Sequence, residues 1–166
     1  MGNISSTRVV CMGEDGNLRM TAKAHRQMLQ IGKLHPMLVH FPIGLVLAAA
    51  GAEFLAILTR RAMWRTIAVA NVRAGAATGA VTAIAGWLLA SAPFIEPTRS
   101  LTLHRWTGLA GAAAAIAAAL ISMRPYVQSH RSVFAYQTAL FGAAAFVAIA
   151  GHLGGTLVWG SGFLWP

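Results

Sequence analysis

The stretch LHPMLVHFPIG, residues 34–44, decides the fold. It opens an apolar run that continues to Leu58, and it carries His35, Pro36, His40 and Pro42 into that run. Lipid-facing helix disfavours imidazole, and helix interiors disfavour proline. Pro36 suits a first helical position, where a missing N–H costs nothing. Pro42 lies deeper. Its ring is predicted to free the Leu38 carbonyl, bend the helix just past His40 and turn that imidazole toward the bundle axis.

Three more apolar blocks follow, over about residues 66–92, 103–123 and 134–159. Each has roughly the 20 residues a helix needs to cross hydrocarbon. The chain is 57% hydrophobic and only 10% charged, where a soluble domain carries about 25% charged residues. The blocks lack the two-residue alternation of barrel strands, so helices must satisfy the backbone. The links 59–65, 93–102 and 124–133 are short, which makes neighbouring helices antiparallel. The expected fold is all-α: an integral membrane four-helix bundle, up-down-up-down, over 35–160. A basic tail precedes it at 1–34, with an amphipathic interfacial helix over 17–33. A short aromatic tail, 161–166, closes the chain.

The net charge of +9 comes from basic residues beside the spans. Anionic headgroups and the positive-inside rule account for them, and nucleic acid is not an expected partner. The lone Cys11 cannot form an internal disulfide. No cleavable leader is evident before the first span, which is expected to direct insertion itself. Met20 is an alternative start to Met1.

Topology brings the histidines together. The start of span one, the start of span three and the end of span four share one membrane face, so His35, His40, His104 and His152 should cluster. At about 1.5 Å per residue, His40 and His152 are expected to be the deeper pair, with His35 and His104 nearer the surface. Polar groups at such depth are costly and mostly functional, and imidazole is the commonest metal ligand. No thiolate or carboxylate accompanies the four, which suits haem iron, copper or zinc. Gly151, Gly154 and Gly155 clear a flat space beside His152, and Gly86 and Gly108 repeat it on spans two and three. A porphyrin needs such space, and Arg105 is placed to meet a propionate. The expected cofactor is haem b, one or two, ligated by His40 and His152. His35 and His104 would then orient propionates or hold a second haem. Copper or zinc, or no cofactor, are the alternatives.

These residues carry a resemblance. His35-Pro36, His40-Phe41-Pro42, Gly86-Trp87, His104, and Gly151-His152 with Gly154-Gly155 resemble the signature of a bacterial family of four-helix membrane proteins, domain of unknown function 2231. The resemblance spans about residues 34–160. It implies the four-helix fold, and fusions of some relatives to cytochrome c domains imply redox company. It implies no established activity.

Three functions compete. One is a b-type haem protein passing electrons within a respiratory or photosynthetic complex of the bacterial inner membrane, beside other subunits. The second is a non-catalytic accessory subunit of such a complex, whose histidines only hydrogen-bond backbone or bind pigment. The third, a metal-handling oxidoreductase, lacks an acid–base set and ranks last, so a stand-alone enzyme is not expected. The arginine-rich links at 59–65 and 124–133 place the histidine face in the periplasm. Glu53 and Arg73 lie at similar depth on adjacent spans and are predicted to pair inside the bundle.

Overall fold

The computed structural model describes residues 30, 32–93, 95–123 and 129–160. Most of the expected interfacial helix, and the tail 161–166, lie outside the described residues. Among the described residues these helices follow one another: α1 His35–Leu38, α2 His40–Thr59, α3 Ala62–Ala90, α4 Arg99–Met123 and α5 His130–Trp159. α1 and α2 make one span broken at Val39, and α3, α4 and α5 make the other three. All four spans are long and apolar enough to cross a bilayer. They pack as two hairpins, α2 on α3 and α4 on α5, closed into a ring by α3 on α4 and by a lighter seam of α2 on α5.

The inside is small and the outside large. Ala49, Ala68, Ala118 and Ala143 are fully buried, and Leu140, Glu53, Val46 and Val72 are the largest side chains that are. Phe41, Phe54, Leu58, Ile84, Leu120 and Phe134 face outward. A water-soluble bundle would reverse this. In lipid the tails solvate large apolar groups, and close backbone approach supplies the packing. Gly75 and Gly111 mark two such approaches in the middle of the bundle. A Cβ on Gly75 would stand 2.9 Å from Val46 Cγ2, and one on Gly111 3.0 Å from Val147 Cγ1.

Helix ends follow local chemistry that hydropathy does not report. α3 restarts at Ala62, so the first hairpin is tighter than the 59–65 link predicts. Arg60 takes a left-handed conformation, φ 56°, and its N–H donates to the Ala56 carbonyl at 2.9 Å. α4 begins four residues before Leu103, because Thr98 Oγ1 accepts the Leu101 N–H at 3.2 Å. α5 begins at His130 because Ser129 Oγ accepts the Ser132 N–H at 3.2 Å.

Pro42 acts differently from the expectation. The helix is interrupted at Val39, before His40, and Pro42 falls in the first turn of α2. Val39 is itself helical, φ −60° and ψ −28°, and the i→i−4 bonds run on through it from Val39 to His35 and from Ile43 to Val39, so the N–H that Pro42 lacks is the one that would meet the Leu38 carbonyl. Pro42 is buried, against the face of Gly79. His40 is two residues earlier, about 200° round the helix, and is exposed. The proline therefore turns His40 outward.

Candidate functional site

The pair brought together inside the bundle is His35 with His104. Their ring centroids are 6.1 Å apart and their planes cross at 80°. Span one and span three are diagonal in the ring, so the two imidazoles meet across the bundle interior at one end. Each is held by the partner helix of its own hairpin. His35 Nδ1 lies 2.9 Å from the Thr82 carbonyl oxygen, and His104 Nδ1 lies 2.9 Å from that of Ala150. A carbonyl only accepts, so Nδ1 carries the proton in both rings. Nε2 then holds the lone pair of the neutral imidazole, and no hydrogen bond to it is found among the described residues. A second bond from Nδ1–H to a backbone carbonyl is the way a metal-ligating histidine fixes its tautomer and orientation.

Both rings rest on glycine. A Cβ on Gly86 would stand 2.6 Å from His35 Cε1, and one on Gly154 would stand 3.0 Å from His104 Cε1. These two glycines seat imidazoles. Gly155 opens onto free space, and a Cβ on Gly151 would stand 3.2 Å from Ile43 Cδ1.

The expected deeper pair is not inside. His40 and His152 are both exposed. His152 is two residues from buried Ala150, as His40 is from buried Pro42, and each is thereby carried to the outer side of its helix. Depth puts them at the right end of the bundle, but the phase round the helix sends them outward.

Arg105 stacks on an aromatic ring. Its guanidinium carbon lies 4.0 Å from the centre of the Trp87 ring, a cation–π contact worth about 0.5–1 kcal/mol. The contact ties the end of α3 to the start of α4 and holds a cation beside His104.

The two hairpins repeat one another. Buried or half-buried positions His35, Pro42, Val46 and Ala49 recur as His104, Gly111, Ala115 and Ala118. Val72, Gly75, Gly79, Thr82 and Gly86 recur as Leu140, Ala143, Val147, Ala150 and Gly154. Histidine, carbonyl and glycine seat occupy matching places in each half. This is a parallel internal repeat, related about an axis along the membrane normal, and the histidine pair straddles that axis.

The other end holds a polar node. Glu53 is completely buried. Its Oε1 accepts from Arg65 Nη2 at 2.6 Å and from Gln137 Nε2 at 2.8 Å. The predicted Glu53–Arg73 pair is therefore incorrect. Arg73 instead donates to Ser122, through Nε to Oγ at 3.0 Å and Nη2 to the carbonyl at 2.6 Å. Arg65 sits in the first turns of α3 and reaches inward along the helix. Arg73, eight residues on and about 80° round, faces α4. Asn71 donates to the Ile67 carbonyl of its own helix and assists neither.

The motif residues, the four spans and both glycine seats all fall within residues 32–164, the region matched by a family model described as predicted membrane protein (DUF2231). The chain belongs to this family. As a DUF2231 member it is a multi-pass membrane protein in contact with the lipid bilayer. No curated protein and no solved structure matches it. Among the described residues no three His, Cys, Asp or Glu side chains converge as a metal site would require.

Proposed function

We propose that this chain is a b-type haem-binding membrane subunit that passes electrons within a bacterial inner-membrane complex, in which His35 and His104 would hold the haem iron. The observation that carries the reading is the histidine pair itself. The two rings lie 6.1 Å apart, centre to centre, and each is anchored through Nδ1, so that both Nε2 lone pairs could serve one iron. The donor set fits haem, which brings four nitrogens and asks the protein for two. A structural zinc site asks for four protein ligands. When bound, the haem supplies a one-electron couple.

The remaining roles belong to the chain. The Thr82 and Ala150 carbonyls hold each imidazole in one tautomer, with Nε2 left as the lone-pair nitrogen. Arg105, steadied on Trp87, places positive charge where a carboxylate at the mouth would be met. The exposed His40 and His152 lie on helices that share the lightest seam of the bundle. Imidazole facing lipid is costly, which supports this seam as the contact for another subunit.

A second reading has its own support. Each imidazole already has one backbone partner and ties its hairpin together, so the pair also suits an accessory subunit without a redox centre. The absorption spectrum of protein purified from its native membrane separates the two. A Soret band with split visible bands is expected, lost in both His35→Ala and His104→Ala and kept in His40→Ala and His152→Ala. Folded protein without a chromophore overturns the haem reading in favour of the accessory one. Loss of the bands only on changing His40 or His152 moves the ligands to the outer seam.

A further inference from the structure

Two polar atoms in the end of the bundle remote from the histidines are sealed from solvent without a partner among the described residues: Glu53 Oε2 and Tyr136 Oη. Glu53 is 0% exposed and Tyr136 2%. Both belong to the same end of the bundle interior. Tyr136 precedes Gln137, which donates to Glu53 Oε1, and it packs with Ala49 and Ala50, one turn from Glu53 on α2. Tyr136 also lies in the electrostatic field of Glu53, Arg65 and Arg73.

A buried polar group left bare forfeits its hydration with nothing in return, and hydrocarbon offers no bulk water to relieve it. The two atoms are complementary. A phenol has a proton to give, and a carboxylate oxygen has only lone pairs. The guest that satisfies both is constrained by charge. Arg65 on the same carboxylate, with Arg73 nearby, disfavours a cation, and Glu53 disfavours an anion. A neutral molecule that both donates and accepts is required, and it must be small.

We propose that one internal water molecule bridges Tyr136 Oη and Glu53 Oε2, completing the hydrogen-bonded chain Arg65–Glu53–water–Tyr136 across spans one, two and four. The side chain of Arg65 is 38% exposed, so the chain opens at the loop face and ends inside the bundle. It gives the protein a bound water and an exchangeable phenol proton within the membrane, on the side away from the histidine pair.

The chain has two tyrosines, so Tyr126→Phe leaves Tyr136 as the only phenol. The experiment is ultraviolet resonance Raman of its hydrogen-bonding state, with infrared difference spectra in ordinary and oxygen-18 water, on the detergent-purified full chain. The expected result is a hydrogen-bonded phenol and an O–H band that shifts in oxygen-18 water. Both signatures should change in Glu53→Gln, and the band should vanish in Tyr136→Phe. A hydrogen-bonded phenol without an isotope-sensitive band means a direct bond and overturns the proposal, as does a free phenol. If either variant fails to fold, the spectra of the parent chain still decide between these outcomes.

Discussion

His35 and His104 stand 6.1 Å apart, ring centre to ring centre, and neither is placed by its own helix alone. Each is fixed by a carbonyl and a glycine on the other helix of its hairpin. The seats are therefore as necessary as the imidazoles. Gly86→Ala should push a methyl group into the His35 ring and cost about 1–3 kcal/mol, the usual range for overpacking. Gly154→Ala, with more room before contact, should cost less. Thermal unfolding in detergent gives the order, and equal or absent effects would contradict the seating. If the pair holds haem, Gly86→Ala should also lower haem content per chain.

The node at the other end makes a prediction about partners. A double-mutant cycle on Glu53→Gln and Arg65→Gln should show coupling of about 1–3 kcal/mol, because the carboxylate is buried and loses a charged donor. Part-exposure of Arg65 keeps this below the value for a fully buried pair. The matching cycle on Glu53 and Arg73 should be additive within about 0.5 kcal/mol. The reverse pattern, in equilibrium unfolding, would restore the pairing expected from sequence.

That reversal shows where sequence reading works here and where it stops. The bundle was legible because hydrocarbon forces long unbroken apolar blocks, and short links force antiparallel neighbours. Depth was legible too, since rise per residue is constant, and it put four histidines at one end. Depth alone does not fix which side of a helix a residue occupies. His35, Pro42, Val46 and Ala49 repeat the spacing of His104, Gly111, Ala115 and Ala118, and that repeat is the sign in the sequence of which imidazoles face inward. The Glu53 partner is hidden for another reason. A long arginine in the first turns of α3 reaches a carboxylate well below it, so equal depth of the backbones is a poor criterion for it. The carbonyls of Thr82 and Ala150 leave no trace in side-chain identity.

Glycines divide into two groups with opposite expected responses. At Gly44, Gly51 and Gly142 an added methyl group would meet nothing within 4 Å. Alanine there should be neutral or stabilising by up to about 1 kcal/mol from helix propensity. Gly75→Ala and Gly111→Ala should instead destabilise by about 1–3 kcal/mol, since the new atom meets Val46 or Val147. A thermal-melt series across the five variants checks this, and a uniform response would mean the helices are not packed on these faces.

Orientation is open to a direct assay. Arg60, Arg61, Arg65 and Arg131 lie at the end away from the His35–His104 pair, while at the other end α4 opens with Arg99. Positive charge in short links favours the cytoplasm. A periplasm-dependent reporter fused after Pro166 should therefore be active, and a cytoplasm-dependent one silent. The opposite result places the histidine pair toward the cytoplasm.

The internal repeat has a consequence for sidedness. A bundle made of two like hairpins has no built-in way to tell one half from the other, and at the histidine end the halves remain alike. At the remote end they have parted: where the first half has Glu53, the second has Ser122, and each recruits a different arginine. Beyond the histidine pair and its seats, the first end departs from likeness at the Arg105–Trp87 contact, whose matching places in the other half are Pro36 and Gly155. The two flanks of the molecule are therefore told apart by a cation at one end and by the Glu53 and Ser122 nodes about 27 Å away along the helices, at about 1.5 Å per residue.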